Sequence, residues 1–220
     1  MKTSNKSLIK HIPFFLEYCE VERGLSNSTI KNYDNFLLPF KNWLIKNNLQ
    51  ATLPSALNSK HIWDYRLYLS RYINPYLKSN LRKSTQNYYL IALRALLLYF
   101  AERDISSLSP EKIKLGKDKK SRAVKFLSIN QIEKLLLTPN IKTFSGLRDR
   151  AILEVLFSTG LRVSELVNLN IDSINLEVLN KYKNKDLEFV IIGKGSHART
   201  VYLSGRAIKW LIFYLNKRHD

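Results

Sequence analysis

Apolar side chains recur at helical spacing along nearly the whole chain and the rhythm breaks only once, so the fold must be mainly α with a small β-sheet. In segment 82–104, Tyr89, Ala92, Leu93, Leu96 and Phe100 share one helix face, which reads as core. "LIKHIPFFLEYCEVERG" repeats the pattern at Leu8, Ile12, Phe15, Leu16 and Cys19 and stops at Gly24, a natural helix-ending residue. "SNSTIKNYDNFLLPFKNWLIKNN" follows, with Ser26 or Ser28 to cap its first turn and Pro39 either kinking the helix or dividing it. "SKHIWDYRLYLSRYI" predicts another helix. In the second half, Ser128 can cap "INQIEKLLL", "LRDRAILEVLFSTG" runs to Gly160, and a short helix carries Ser164 and Glu165 to near Asn168. Only "LEFVIIG" and "RTVYL" are β-rich; they flank "KGSHA" and predict a hairpin, after which "SGRAIKWLIFYLNKRH" returns to helix.

Charge narrows the partners. Lys and Arg number 36 against 18 Asp and Glu, a net charge of +18, which favours polyanions. The excess is spread over both halves, with 15 basic and 7 acidic residues in 1–110 and 21 and 11 in 111–220, so both halves can touch one polymer. Cys19 is the only cysteine, which excludes an intramolecular disulfide and a Cys-based zinc site and fits the cytoplasm. His11, His61, His197 and His219 form no close metal-ligand spacing, and no apolar run is long enough to span a membrane. No clustered Asp/Glu/His set offers two-metal nuclease geometry.

Residues 112–125 hold seven Lys/Arg and one Asp with little periodicity. They read either as a solvated spacer or as a positive strap on a phosphate backbone; the single sign of charge favours the strap. Arg162 sits two residues after Gly160, where one helix stops and another begins. It reads either as an anion-binding guanidinium beside free helix-start N–H groups, or as an arginine snorkelling outward or paired with Glu165. Lys194, between Gly193 and Gly195 at the hairpin tip, is free to project toward a partner.

The combination is more specific than its parts. "STGLRVSELVNL" followed by "VIIGKGSHARTVYL" resembles the tyrosine recombinases of the phage-integrase superfamily, above all the Xer-like resolvases and their archaeal relatives. "FLEYCEVERGLSNSTIKNYDNFLLPFKNWL" and "STQNYYLIALRALLLYFAERD" are similar to that family's four-helix, SAM-like core-binding domain. The resemblance implies a core-binding domain at 1–108, a basic linker at 109–126 and the first part of a mixed α/β catalytic domain at 127–220. It implies that Arg162 grips the scissile phosphate, that Lys194 protonates the leaving 5′ oxygen, and that Glu165 supports the arginine from behind. Fixed cations suit this chemistry, because phosphoryl transfer builds negative charge on oxygen. It implies no metal or other cofactor, and tetramers on paired DNA sites for full-length members.

The family's His-x-x-Arg segment, its further His or Trp and its nucleophilic tyrosine all follow the hairpin, and none occurs within these 220 residues. Tyr214, the last tyrosine, lies too early and reads as a helix-face residue. The chain is therefore expected to be an N-terminal portion that binds double-stranded DNA without cutting it and stays monomeric by itself; the rival reading is a non-catalytic DNA-binding regulator derived from a recombinase. Candidate DNA contacts are Ser28, Thr29, Lys31 and Asn32, then Arg82, Lys83, Ser84, Thr85 and Asn87, and the strap residues Lys117, Lys119, Lys120 and Arg122. For Ser84 and Thr85, helix capping is an equal alternative.

Overall fold

Four apolar stripes of the first half become four helices, α1 (Leu8–Val21), α2 (Asn27–Lys46), α3 (Ser59–Arg71) and α4 (Lys83–Glu102). They are seen in a computed structural model that describes residues 2–75, 78–117, 125–170, 176–183, 185–193 and 197–218. The chain forms two compact units, Met1–Arg122 and Ala123–Asp220.

In the first unit, Leu8, Phe15 and Cys19 of α1, Leu37 and Phe40 of α2, Tyr65 and Leu69 of α3, and Leu93, Leu96 and Phe100 of α4 close one core. Large rings fill it: Phe40 meets Tyr65 edge-on at 5.0 Å between centroids, the arrangement that ring quadrupoles favour. Tyr89, placed on the α4 stripe by spacing, is only partly buried. After α1, Gly24 takes φ +57 and the Leu25 N–H reaches back to the Cys19 carbonyl, a turn that closes the helix. Pro39 lies within one continuous α2. Ser26 stands at the α2 N-cap position but spends its hydroxyl on those of Ser28 and Thr29, at 3.1 and 3.0 Å, with no side-chain bond to the helix backbone. A two-residue-per-strand hairpin between α3 and α4, β1 (Ile73–Asn74) with β2 (Ser79–Asn80), had no signal in the alternation pattern.

The expected linker starts as packed structure, a correction to its reading as exposed throughout. Residues Pro110–Lys112 form a 3-10 turn and Ile113 is buried with the first core. The Asn87 side chain then clasps the backbone of Gly116, donating from Nδ2 to the Gly116 carbonyl at 2.9 Å and accepting its N–H at 2.9 Å. Arg66 donates to the Lys114 carbonyl. A composition rich in lysine hid a single apolar anchor and a side-chain amide that imitates a β-bridge.

The second unit opens with α5 (Ile129–Leu137), started by a capping box in which Ser128 and Gln131 satisfy each other's backbone N–H groups. α6 (Phe144–Thr159), α7 (Val163–Val167), α8 (Leu176–Lys181) and α9 (Gly205–Leu215) complete the helices, with β3 (Leu187–Ile192) and β4 (Ala198–Leu203) between α8 and α9. α8 is too short for its periodicity to stand out in sequence. The strands pair antiparallel with Leu187 opposite Leu203, Phe189 opposite Val201 and Ile191 opposite Arg199. Leu187, Ile191, Val201 and Leu203 turn inward onto Val155 of α6 and onto Ala207, Ile208 and Ile212 of α9. An ionic group, buried at Arg150 and Glu154, also stitches this unit together. Arg150 donates to Glu154 on α6 at 3.0 Å and to the Leu136 carbonyl at the end of α5, and its guanidinium lies 4.7 Å from the Trp210 ring centroid. Arg206 of α9 reaches the same Glu154 at 2.9 Å.

Among the described residues no helix is long and apolar enough to cross a membrane, and no three His, Cys, Asp or Glu side chains gather as a metal site.

Candidate functional site

α6 has to end sharply where α7 begins, and Gly160 makes that possible. Its φ of +62 is left-handed, which a glycine adopts at no steric cost, and its N–H still bonds the Leu156 carbonyl at 2.9 Å. Leu161 then turns into the core and Arg162 becomes the N-cap of α7 with its side chain 63% exposed. The last turn of α6 is fixed to the hairpin by one hydroxyl. Ser158 donates to the Tyr202 carbonyl at 3.0 Å and accepts the Ser204 N–H at 2.7 Å, joining α6 to the far end of β4.

That attachment places α7 against the hairpin, and Glu165 is the meeting point. Its Oε2 accepts the backbone N–H of Arg162 at 2.8 Å and its Oε1 the Arg162 guanidinium at 2.9 Å. From β4, Arg199 donates through Nη1 to Oε1 at 2.8 Å and through Nη2 to Oε2 at 2.7 Å. Four N–H donors thus hold one carboxylate whose side chain is only 7% exposed. The Arg199 fork and then the Arg162 backbone N–H bring its pKa down to about 2, so Glu165 is an anion wherever the protein works. Two guanidiniums against one carboxylate leave the cluster with one net positive charge.

Arg162 is paired with Glu165, as one of its two readings held, and its side chain remains mostly exposed. Of the backbone N–H groups at this helix start, that of Arg162 is not free for an anion, because the Glu165 carboxylate occupies it. Arg199 escaped the sequence reading. A signal existed, since Arg199, Val201 and Leu203 alternate on one face of β4, and a charge on an apolar face calls for a counter-charge.

Lys194 lies outside the described residues. Its neighbour Gly193 is described, and it sits under the ionic cluster. A β-carbon added there would stand 3.0 Å from Arg199 Nη1 and 3.2 Å from Glu165 Oε1. The Gly193 N–H bonds the His197 carbonyl at 2.8 Å, closing the hairpin just before its tip. The first glycine of the "GKG" stretch therefore makes room for the Glu165–Arg199 pair.

In the first unit, Ser28, Lys31 and Asn32 are exposed on the opening turns of α2, with Thr29 half-buried. Arg82 is the N-cap of α4; Arg82 and Lys83 are exposed, and Ser84 and Thr85 half-buried. Asn87, also named as a candidate DNA contact, has both polar ends of its side chain engaged by Gly116. Lys117 is exposed at the end of the packed linker, whereas Lys119, Lys120 and Arg122 fall outside the described residues. Tyr214 packs its ring 5.6 Å from that of Phe144 and lies on a helix face, as its spacing implied.

The chain matches two family models, the N-terminal SAM-like domain of phage integrases over residues 12–104 and the phage integrase family over residues 125–220. It is 30% identical over 202 residues to the tyrosine recombinase XerD of Haemophilus influenzae, covering 91% of this chain and 61% of that relative. To the tyrosine recombinase XerC of Pelobacter propionicus it is 33% identical over 213 residues, covering 96% of this chain and 65% of the relative. Its fold is similar to that of the XerH site-specific recombinase bound to its difH substrate, with a TM-score of 0.57 and 21% identity over 92% of this chain and 57% of the other. The Tn1549 transposon integrase in complex with transposon right-end DNA gives a TM-score of 0.65 at 14% identity, over 95% of this chain and 66% of the other. The chain thus spans less than two thirds of the length of each of these proteins.

Proposed function

Since the chain belongs to the phage integrase family of tyrosine recombinases, we propose that it binds duplex DNA in the cytoplasm and presents two cations to one scissile phosphate during site-specific strand exchange. In that reaction a tyrosine oxygen attacks the phosphorus, a 3′-phosphotyrosine forms, and the 5′ oxygen departs with a proton. Arg162 takes the non-bridging oxygens, and Lys194, one residue beyond Gly193, supplies the proton. Full-length members would act as tetramers on paired sites; the 220-residue chain, tested by itself, is expected to remain monomeric and to bind without cutting.

One observation carries the reading. Arg162 is mostly exposed, held at its base by a buried carboxylate, in an ionic cluster that touches the hairpin beside Gly193. The basic excess of the whole chain supplies the long-range attraction.

The test is fluorescence anisotropy with a labelled duplex at several salt concentrations, paired with a nicked suicide substrate. Affinity should fall steeply with salt, because each neutralised phosphate contributes roughly 0.9 to the slope of log K against log salt. Arg162→Gln should reduce that slope by about one, and no covalent adduct should accumulate. A flat salt dependence would refute duplex binding through phosphates; an adduct formed by the 220-residue chain itself would refute the expectation that it binds without cutting.

A further inference from the structure

The Glu165 carboxylate is shared unequally. Arg162 spends one guanidinium nitrogen on it, whereas Arg199 spends two, one for each oxygen. Carboxylate and guanidinium by themselves prefer the two-point fork, with both oxygens facing two N–H groups of one arginine. If Arg199 were absent, only the bond from the Arg162 backbone N–H to Oε2 would keep Glu165 from taking that arrangement with Arg162, three residues away on the same turn. The phosphate-facing edge of Arg162 would then be occupied by a carboxylate and its charge cancelled locally.

We propose that Arg199 is a positioning residue for Arg162. By engaging both Glu165 oxygens from the side of β4, it holds the carboxylate to one bond with the Arg162 guanidinium, beside the one to the Arg162 backbone N–H, and leaves the exposed edge of Arg162 open to a DNA phosphate. This rests on the reading that Arg162 binds phosphate. Three further features of the structure fit it. Arg199 lies on the inward face of β4, opposite Ile191, and its guanidinium is directed at Glu165 of α7. Its side chain is 36% exposed against 63% for Arg162, so of the two it is the less available to an external anion. Gly193 lacks the β-carbon that would crowd the Arg199 fork. Arg199 also restores the charge balance: with it the cluster is net positive by one, and without it the Arg162–Glu165 pair is neutral.

The experiment uses the whole 220-residue chain and a labelled duplex, with dissociation constants measured across a salt series for the parent, R162Q, R199Q, R199K, R162Q/R199Q and E165Q/R199Q. R199Q should weaken binding about tenfold, the scale of one charge-assisted hydrogen bond, and lower the salt slope by about one. Because Arg199 acts through Arg162, R162Q/R199Q should bind no worse than R162Q. E165Q/R199Q should recover affinity toward the parent, since removing the competing carboxylate frees Arg162 again; a purely structural role for Arg199 predicts further loss. R199K, a point charge that cannot fork, should fall between the parent and R199Q.

Thermal melting accompanies each variant. If R199Q proves unfolded, the recovery of E165Q/R199Q and the intermediate value of R199K decide the matter. Unchanged binding in R199Q while R162Q weakens, or full additivity of the two losses, overturns the positioning role and leaves the DNA reading intact. Failure of the parent to bind duplex, or of R162Q to weaken it, overturns both.

Discussion

At the scale of single residues, the behaviour of Arg162 is decided by what stands behind it. Glu165 is held at a pKa of about 2, below the 4.5 of a free carboxyl, chiefly by the Arg199 fork. The sign of the resulting pH dependence follows. A depressed pKa in the folded state contributes stability that is complete above about pH 4.5 and is lost as the pH falls toward 2. Stability of the parent should therefore drop relative to Glu165→Gln between those two values, and should run parallel to it from pH 5 to 8; urea denaturation at stepped pH measures this. The sequence made Arg162 and Glu165 legible because they lie within one short motif. It concealed Arg199, thirty-four residues from Glu165, because their meeting depends on strand register and on the Ser158 tie, neither of which is written in local spacing.

At the scale of elements, the helical stripes of both units were readable, since one apolar face at a period of 3.6 leaves few alternatives. The short pieces were not: α8 and the β1–β2 hairpin have too few residues for a period to emerge. Asn87 shows a different limit. An exposed-looking amide near a helix start has the chemistry of a base reader, but its partner is Gly116, twenty-nine residues on. Asn87→Ala should release the first part of the linker and speed tryptic cleavage at Lys114 and Lys117 several-fold, because two hydrogen bonds of ~1 kcal/mol each are lost. If Asn87 instead selects bases, the substitution will alter sequence preference and leave proteolysis as it was. The Arg150–Glu154–Arg206 group is the element-scale counterpart in the second unit. Its members are legible as charges, but the burial of Arg150 and Glu154 is not, because "LRDRAILEVL" reads equally well with them on a solvated face.

At the scale of the whole molecule, two cores in one chain imply two unfolding events. Glu154→Ala leaves Arg150 buried without its carboxylate, a change that costs about 3 kcal/mol. The substitution should move the urea transition of the second unit alone, with the Trp43-containing first unit unfolding at its original midpoint; circular dichroism combined with tryptophan fluorescence resolves the two. A single shared shift would mean that the units unfold together. The basic excess belongs to this scale as well, since it is distributed over both halves and no single cluster accounts for it. The attachment at Ser158 has a mechanical corollary. The far end of β4 is held by one neutral hydroxyl that Tyr202 and Ser204 share, and the end near Gly193 by the charged Arg199–Glu165 fork, so the hairpin is anchored to the helices at both ends. Acid or salt would loosen only the charged anchor, so the hairpin would keep its hold at Ser158 when the one at Glu165 fails.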